Sequence, residues 1–268
     1  MQGASRASLA VVREDVRADA ATRTDLVGSQ LLSVASLLGR ETTLRNALTD
    51  NGSTPERRVE LATSVFTGKV AEPTVSVLST VVAQRWSPPR DLVEALEILG
   101  AEALLAHAET DGRIDTVEEE LFRFSRVLES SPDLQLLLSD PAISADTKST
   151  VVADLLAEKV QPEALTLLTH AASHSMSRPV ADRLDELVAL AAARREQLLA
   201  DVRAPMPLTE EQTRRLAAAL ERIYGQEVTV AVSVDPDVLG GAVVRIGDEI
   251  IDGSIASRMA AARRSLTQ

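Results

Sequence analysis

Two histidines four residues apart come closest to a metal-binding pattern. On a helix, His170 and His174 would share a face and could in principle bind one metal ion. No HExxH pattern surrounds them, no third ligand stands at a suitable spacing, and His107 has no companion. The chain also lacks cysteine, which excludes thiolate chemistry and cysteine-ligated zinc. We therefore predict partly exposed helix histidines and no metal site.

The carboxylates that could act as acid and base do not converge. Glu118, Glu119 and Glu120 are consecutive, so on a helix their side chains point about 100° apart. A general acid–base pair needs two groups aimed at one point. These residues follow Asp115 and are expected on a solvated face near a helix start, where the helix dipole favours them. No GxSxG nucleophile elbow occurs either, so we predict no catalytic residue and no cofactor.

A pair of glycines, Gly240 and Gly241, precedes an apolar strand pattern. A phosphate-binding loop would need more glycine, a following helix, and usually Lys followed by Ser or Thr. These glycines are expected instead to allow a sharp turn or a close backbone approach where the strand begins.

Composition and charge narrow the classes of partner. The chain has 268 residues, 45% of them apolar, which is enough for two or three small domains. A net charge of −12 and 2% aromatic residues argue against nucleic acid and anionic lipid as partners. No apolar run approaches the roughly 18 residues needed to span a bilayer. Any association with a membrane is therefore expected to run through partner proteins.

Helical periodicity continues to about residue 200, and part of it recurs. When the sequence is shifted by 90 residues, Leu44 and Leu48 fall on Leu134 and Leu138, and residues 44–89 align without a gap. We interpret this as two tandem helical bundles related by duplication. The alternative is that two leucine-rich bundles align to this extent by chance.

The pattern changes after about residue 198. Residues 199–204 alternate like a strand, Thr209 and Gln212 form a capping box before a helix over 210–223, and three further strands follow. A last helix is expected after Ser254. The predicted fold is therefore mainly α, with helical bundles over residues 1–90 and 91–195 and a small α+β domain over 196–268.

The C-terminal part resembles the F-type ATP synthase delta (OSCP) subunit family. Residues 234–248 read VDPDVLGGAVVRIGD, similar to the family pattern of Asp-Pro, two apolar residues, Gly-Gly, an apolar strand, a basic residue and Gly-Asp. The stretches APMPLTEEQ at 204–212 and IIDGS at 250–254 resemble the family in order and spacing. The signature positions are Asp235, Pro236, Leu239, Gly240, Gly241, Val243, Arg245, Gly247, Asp252 and Gly253.

The resemblance implies a non-catalytic stator subunit, present once per complex at the cytoplasmic face of the cell membrane. Its helical bundle would bind the N-terminal helices of the alpha subunits, and its C-terminal domain the C-terminal helices of the b subunits. Family members usually carry one bundle, so the extra unit resembles the long forms of high-GC Gram-positive bacteria. It leaves open which bundle occupies the usual docking site.

Two helix faces are expected to bind the partner helices through apolar contact. They consist of Leu9, Val12 and Val16, and of Val77, Leu78 and Val81. Two other functions remain as alternatives. One is a helical adaptor unrelated to ATP synthase, and the other is a hydrolase or transferase that uses the histidines or the carboxylate clusters.

Overall fold

The computed structural model describes residues 1, 3–173, 179–197, 199–224, 228–235, 238, 240–246 and 249–252. The chain divides into two compact units, Met1–Leu190 and Ala191–Gln268. The described part of the first unit is helical and that of the second includes a small sheet, as the sequence predicts.

The helices follow one another through short connections, and one 3-10 turn, Ala20–Thr22, precedes the second helix. They are α1 (Ala4–Ala18), α2 (Asp25–Arg40), α3 (Thr42–Leu48), α4 (Pro55–Phe66), α5 (Glu72–Ala83), α6 (Arg90–Thr110), α7 (Ile114–Ser130), α8 (Pro132–Ser139), α9 (Ala145–Leu156), α10 (Pro162–Ser173) and α11 (Val180–Gln197). The boundary between the two units falls inside α11.

Besides the end of α11, the described part of the second unit consists of a four-stranded sheet and one helix. The elements are β1 (Leu199–Ala204), α12 (Glu210–Tyr224), β2 (Thr229–Val234), β3 (Val243–Ile246) and β4 (Glu249–Asp252), and the strand order is β2-β1-β3-β4. Strand β1 is parallel to β2 and antiparallel to β3, with Val202 opposite both Val232 and Val244. The predicted capping box is confirmed, because Thr209 and Gln212 exchange backbone-to-side-chain hydrogen bonds of 2.9 and 3.2 Å.

The valines in β2 and just before it are unevenly buried. Val228 and Leu220 lie in the core of the second unit with Val244, whereas Val232 is 37% exposed and Val234 is 53% exposed. Strand β2 is an edge strand, so its far end has sheet on one side only. Residues 247–248 and the predicted last helix lie outside the described residues.

One apolar core runs through α1 to α6. Its fully buried members include Leu31, Leu78 and Trp86, and the indole N–H of Trp86 donates to the carbonyl of Val81 at 2.8 Å. Leu92 and Leu96 of α6 belong to the same core. Helix α6 begins where we predict the boundary between bundles, at residues 90 and 91, but its first part packs in the core of the first bundle.

A shift of 90 residues relates the first helices to the later ones. It maps α4 onto α9 and α5 onto α10 with identical bounds, and α2 and α3 onto α7 and α8 to within one residue. It also maps α1 onto residues 94–108 inside α6, and the start of α6 onto the start of α11. Helix α6 therefore corresponds both to the sixth helix of the first set and to the first helix of the second. This correspondence supports the predicted duplication.

Side-chain contacts repeat at the same interval. The side-chain amide oxygen of Gln30 accepts the N–H of Ala71 at 2.9 Å, and the carboxylate of Glu120 accepts the N–H of Gln161 at 2.8 Å. The expectation of a solvated face is therefore wrong for Glu120, which is only 9% exposed because its carboxylate bonds the backbone before α10. Chance alignment of leucines would not reproduce this polar contact.

Two buried cations occupy matching positions in the two sets. Arg58 is 3% exposed and donates to five backbone carbonyls, three of them at 2.8–2.9 Å, those of Val82, Ser53 and Ala83, and two at 3.2 Å, those of Asp50 and Gln84. Lys148, 90 residues later, is 2% exposed. Because a buried charge needs hydrogen-bonding partners, Arg58 fixes the turn before α4 against the end of α5.

Helices α2 and α6 approach each other closely at two glycines. A Cβ added to Gly28 would lie 2.6 Å from Cγ of Leu104 and 2.9 Å from the carbonyl oxygen of Gly100. A Cβ added to Gly100 would lie 2.9 Å from Leu32. Glycine is required at these positions because the two backbones come too near for a side chain.

Replacing Gly28 with alanine should therefore destabilise the protein. We expect Gly28→Ala to lower the free energy of unfolding by about 1–3 kcal/mol, because overpacking outweighs the better helix propensity of alanine. Denaturant titration followed by circular dichroism measures this change.

Gly39→Ala is the matched control, since Gly39 lies in the same helix and an added Cβ there meets nothing within 4 Å. That substitution should be neutral or stabilise by up to about 1 kcal/mol. Equal effects of the two substitutions would contradict the close approach of α2 and α6.

Candidate functional site

His170 lies beside a carboxylate and a guanidinium from two other helices. Its Nε2 lies 3.4 Å from Oε1 of Glu97, and Nη1 of Arg183 lies 3.3 Å from the same oxygen. These side chains come from α10, α6 and α11, so they tie three helices together. His174 lies outside the described residues. Among the residues that the structure does describe, no group of three or more histidine and carboxylate side chains could hold a metal ion.

His107 has partners that its sequence neighbourhood does not reveal. Its Nδ1 lies 2.7 Å from Oε1 of Glu163, a carboxylate that is 1% exposed at the start of α10. Arg113 donates two hydrogen bonds to Glu163, of 2.8 and 3.0 Å, and one of 2.7 Å to Asp111. The expectation that His107 stands alone is wrong, because its partner is 56 residues away in the chain.

This group, hereafter the Glu163 cluster, consists of His107, Asp111, Arg113 and Glu163. The hydrogen bond that Arg113 donates to Asp111 and the negative charge of Glu163 raise the pKa of the Arg113 guanidinium above its usual range, against the opposing effect of burial. A forked guanidinium fits a carboxylate with two parallel bonds, which stabilises the buried charge of Glu163. The cluster thus fastens α10 to the end of α6.

The six apolar residues expected to bind partner helices face the inside of the bundle. Leu9, Val12, Val77, Leu78 and Val81 are at most 6% exposed, and Val16 is half-buried against the same core. Apolar periodicity identifies the buried face of an amphipathic helix, and here that face packs on the protein itself. The expectation that these side chains meet a partner directly is not met, because closed core residues offer no surface. Any contact through α1 and α5 must use their outward residues.

Exposed large apolar side chains mark other places where a partner could bind. In the described helical unit they are Val11, Leu26, Phe122, Val127, Leu136 and Leu155, and in the second unit Met206, Ile223, Val232, Val234 and Ile251. For the residues on helices, the only signal in the sequence is an apolar residue on an otherwise polar helix face.

The signature loop is built from backbone contacts. The N–H of Asp235 donates to the carbonyl of Ala204 at 2.8 Å, and the N–H of Gly240 donates to the carbonyl of Val238 at 2.8 Å. Gly240 has a φ of 105° and Gly241 a φ of 79°, a region that disfavours other residues. The turn predicted before β3 is therefore confirmed.

The other signature residues lie around the same loop where they are described. Val243 begins β3 opposite Asp252 of β4, Arg245 is exposed on β3, and Asp235 Oδ2 lies 3.7 Å from Nη1 of Arg203. Four signature positions lie outside the described residues: Pro236, Leu239, Gly247 and Gly253.

Comparison with known proteins identifies relatives for the whole chain. A family model described as "ATP synthase delta (OSCP) subunit" matches residues 101–266. Proteins named ATP synthase subunit delta match from Nocardia farcinica, 46% identical over 99% of this chain and 100% of the relative, and from Frankia alni, 42% identical over 99% of each. One from Rhodococcus opacus is 43% identical over 98% of this chain and 95% of the relative.

A chain in the solved Toxoplasma gondii mitochondrial ATP synthase hexamer also matches. It is 20% identical, with 63% of this chain and 95% of that chain covered, and the TM-score of 0.32 is too low to support a comparison of folds. None of the helices described in the present structure is long and apolar enough to cross a membrane.

Removing Glu163 should destabilise the helical unit. We expect Glu163→Ala to lower the free energy of unfolding by about 1–3 kcal/mol, because it removes the buried carboxylate to which His107 and Arg113 are hydrogen-bonded. Glu119→Ala is the control, since Glu119 forms an exposed ion pair with Arg123 whose loss should cost at most about 1 kcal/mol. A Glu163→Ala protein as stable as the control variant would show that the cluster does not hold α10.

Replacing Gly240 with valine should destabilise the second unit. The positive φ makes Gly240→Val cost more than the roughly 1 kcal/mol of an ordinary glycine replacement. Thermal unfolding of the full chain detects the loss as a lower melting temperature. Ser233→Val, on the exposed face of β2, should leave that temperature almost unchanged. An unaltered melting temperature for Gly240→Val would contradict the claim that this turn requires a residue with positive φ.

Proposed function

Because the chain belongs to the ATP synthase delta (OSCP) subunit family, we propose that it is a non-catalytic stator subunit of an F-type ATP synthase. In this role it links the catalytic head to the membrane sector and stops the head from turning with the rotor. The observation that carries the proposal is the match to that family over residues 101–266 together with relatives similar along their whole length. An adaptor unrelated to ATP synthase does not fit this membership.

The helical unit is the proposed binding site for the N-terminal helices of the alpha subunits. A helical bundle binds an amphipathic helix when the apolar face of that helix packs on apolar residues at the bundle surface. The exposed Val11 on α1 and Phe122 on α7 supply apolar surface on the helical unit. Buried anchors such as the Glu163 cluster and Arg58 keep the helices in place, so that such a surface is preformed.

The second unit is the proposed binding site for the C-terminal helices of the b subunits. Val232 and Val234 are exposed on the edge strand β2, and Ile223 on α12 is 68% exposed. A partner helix that packs on the end of this edge strand would bury these exposed apolar side chains. We place the chain at the cytoplasmic face of the cell membrane, one copy per complex, where its partners hold it.

The net charge of the chain and the area buried at the proposed interfaces affect how the partners would bind. A net charge of −12 favours encounter with basic partner segments, while lasting affinity must come from apolar burial. A stable interface of standard size buries about 1,600 Å², and a stator that resists sustained torque needs at least that much.

Membranes from a strain that lacks this chain provide the test. We expect the head to be released from these membranes by washing and ATP-driven proton pumping to be lost, because the link between head and membrane is missing. Adding the purified chain should restore both, and a pull-down on tagged chain should recover alpha and b subunits.

The purified chain alone should hydrolyse no ATP. Normal retention of the head and normal pumping without the chain would refute the proposal. ATP hydrolysis by the isolated chain would refute the proposal that the subunit is non-catalytic.

A further inference from the structure

One phenylalanine on α7 lies at the surface of the helical unit. Phe122 is 54% exposed, whereas Phe66, Phe124 and Trp86 are at most 4% exposed. Aromatic residues make up only 2% of the chain, and an aromatic side chain left in water forgoes the free energy that its burial would release. Phenylalanine is enriched where one protein binds another. The surface around Phe122 is therefore a candidate binding surface.

The corresponding residue of the first helical set is covered by a helix. Leu32 of α2, 90 residues earlier, is only 4% exposed, because α2 packs along α6. Gly100 of α6 is so near that a Cβ added to it would lie 2.9 Å from the side chain of Leu32. The same position on the same helix is thus covered in one set and exposed in the other. A helix that lay across α7 as α6 lies across α2 would bury Phe122.

The residue one turn before Phe122 limits how near such a helix can come. Gly28, against which the backbone of α6 packs, corresponds to Glu118 on α7. Two helix backbones cannot meet across a glutamate side chain, so a helix on α7 must lie farther away than α6 lies from α2. Phenylalanine is larger than leucine, so Phe122 can fill this wider gap against a small residue of the incoming helix.

The surface around Phe122 is acidic. The first three turns of α7, residues 114–123, carry four carboxylates and one guanidinium. Glu119 is exposed near Phe122, and on the other side of Phe122 the hydroxyl of Ser125 lies 3.5 Å from Oδ1 of Asp185 on α11. Carboxylates around an apolar contact favour a partner that carries lysine or arginine and disfavour an acidic one.

We propose that the face of α7 centred on Phe122 is a docking surface, and that its occupant is a basic amphipathic helix of a neighbouring subunit. A glycine or alanine of that helix packs against Phe122, and a lysine or arginine about one turn away lies opposite the carboxylates. This inference rests on the proposed function, which supplies the neighbouring subunits. It gives the second helical set a contact of its own.

Photo-crosslinking in the purified intact enzyme identifies what covers this face. The probe is p-benzoylphenylalanine in place of Phe122, at an exposed position where the fold tolerates it. We expect irradiation to join the chain to one site in another subunit, in a helix with lysine or arginine within four residues of the link. The absence of a link to another subunit, or a link to an acidic or non-helical segment, would overturn the proposal.

Titration of the purified chain measures how much Phe122 contributes. The membranes come from the strain that lacks the chain, and purified head is added. We expect Phe122→Ser to raise the concentration of chain that half restores proton pumping at least about tenfold, because an apolar anchor is lost. Leu155→Ser is the matched control, since Leu155 lies on α9 and is 46% exposed. It should restore pumping at the concentration that the unchanged chain needs.

Both substituted side chains are exposed, so both variants should keep the melting temperature of the unchanged chain. A charge reversal tests the chemistry of the occupant, because Glu119→Lys should also raise the concentration required by repelling a basic helix. Equal concentrations for Phe122→Ser and Leu155→Ser would refute the docking surface. A lower concentration for Glu119→Lys would show an acidic partner and refute the basic helix.

The unchanged chain in the same titration separates this inference from the proposed function. If it restores pumping and Phe122→Ser restores pumping at the same concentration, the docking surface on α7 is refuted and the stator role stands. If the unchanged chain restores no pumping at any concentration, both are refuted.

Discussion

The packing of α2 against α6 is the contact on which the helical unit depends. Helix α6 contributes Leu92 and Leu96 to the core of the first helices, and it is also the counterpart of α1 in the second set. Gly28 and Gly100 let the two helices come together without a side chain between them. Two repeats that share a helix in this way form one compact unit, Met1–Leu190, which suits the stator role that we propose.

Local chemistry made the second unit easy to predict. Strand β1 and helix α12 begin at the predicted residues, because alternating apolar residues and a capping box act over short distances. The glycine turn before β3 was predictable for the same reason, since a glycine pair before an apolar strand indicates a sharp turn or a close backbone approach, and both glycines take positive φ.

Contacts between distant residues could not be predicted. Glu163 meets Arg113 across 50 residues and His107 across 56, and nothing in the spacing of either pair indicates the contact. The apolar faces of α1 and α5 were identified correctly as faces, but periodicity does not distinguish a side that packs on its own bundle from one that binds a partner. The sequence also did not indicate that α6 belongs to both repeats, because a continuous helix has no turn residues where one repeat ends and the next begins.

An electron cryo-microscopy map of the intact enzyme would test the central claim, that this chain braces the head through helix packing, most directly. The account predicts the chain in contact with the head through its helical unit and with the membrane stalk through its second unit. A chain that touches neither the head nor the membrane stalk would contradict it.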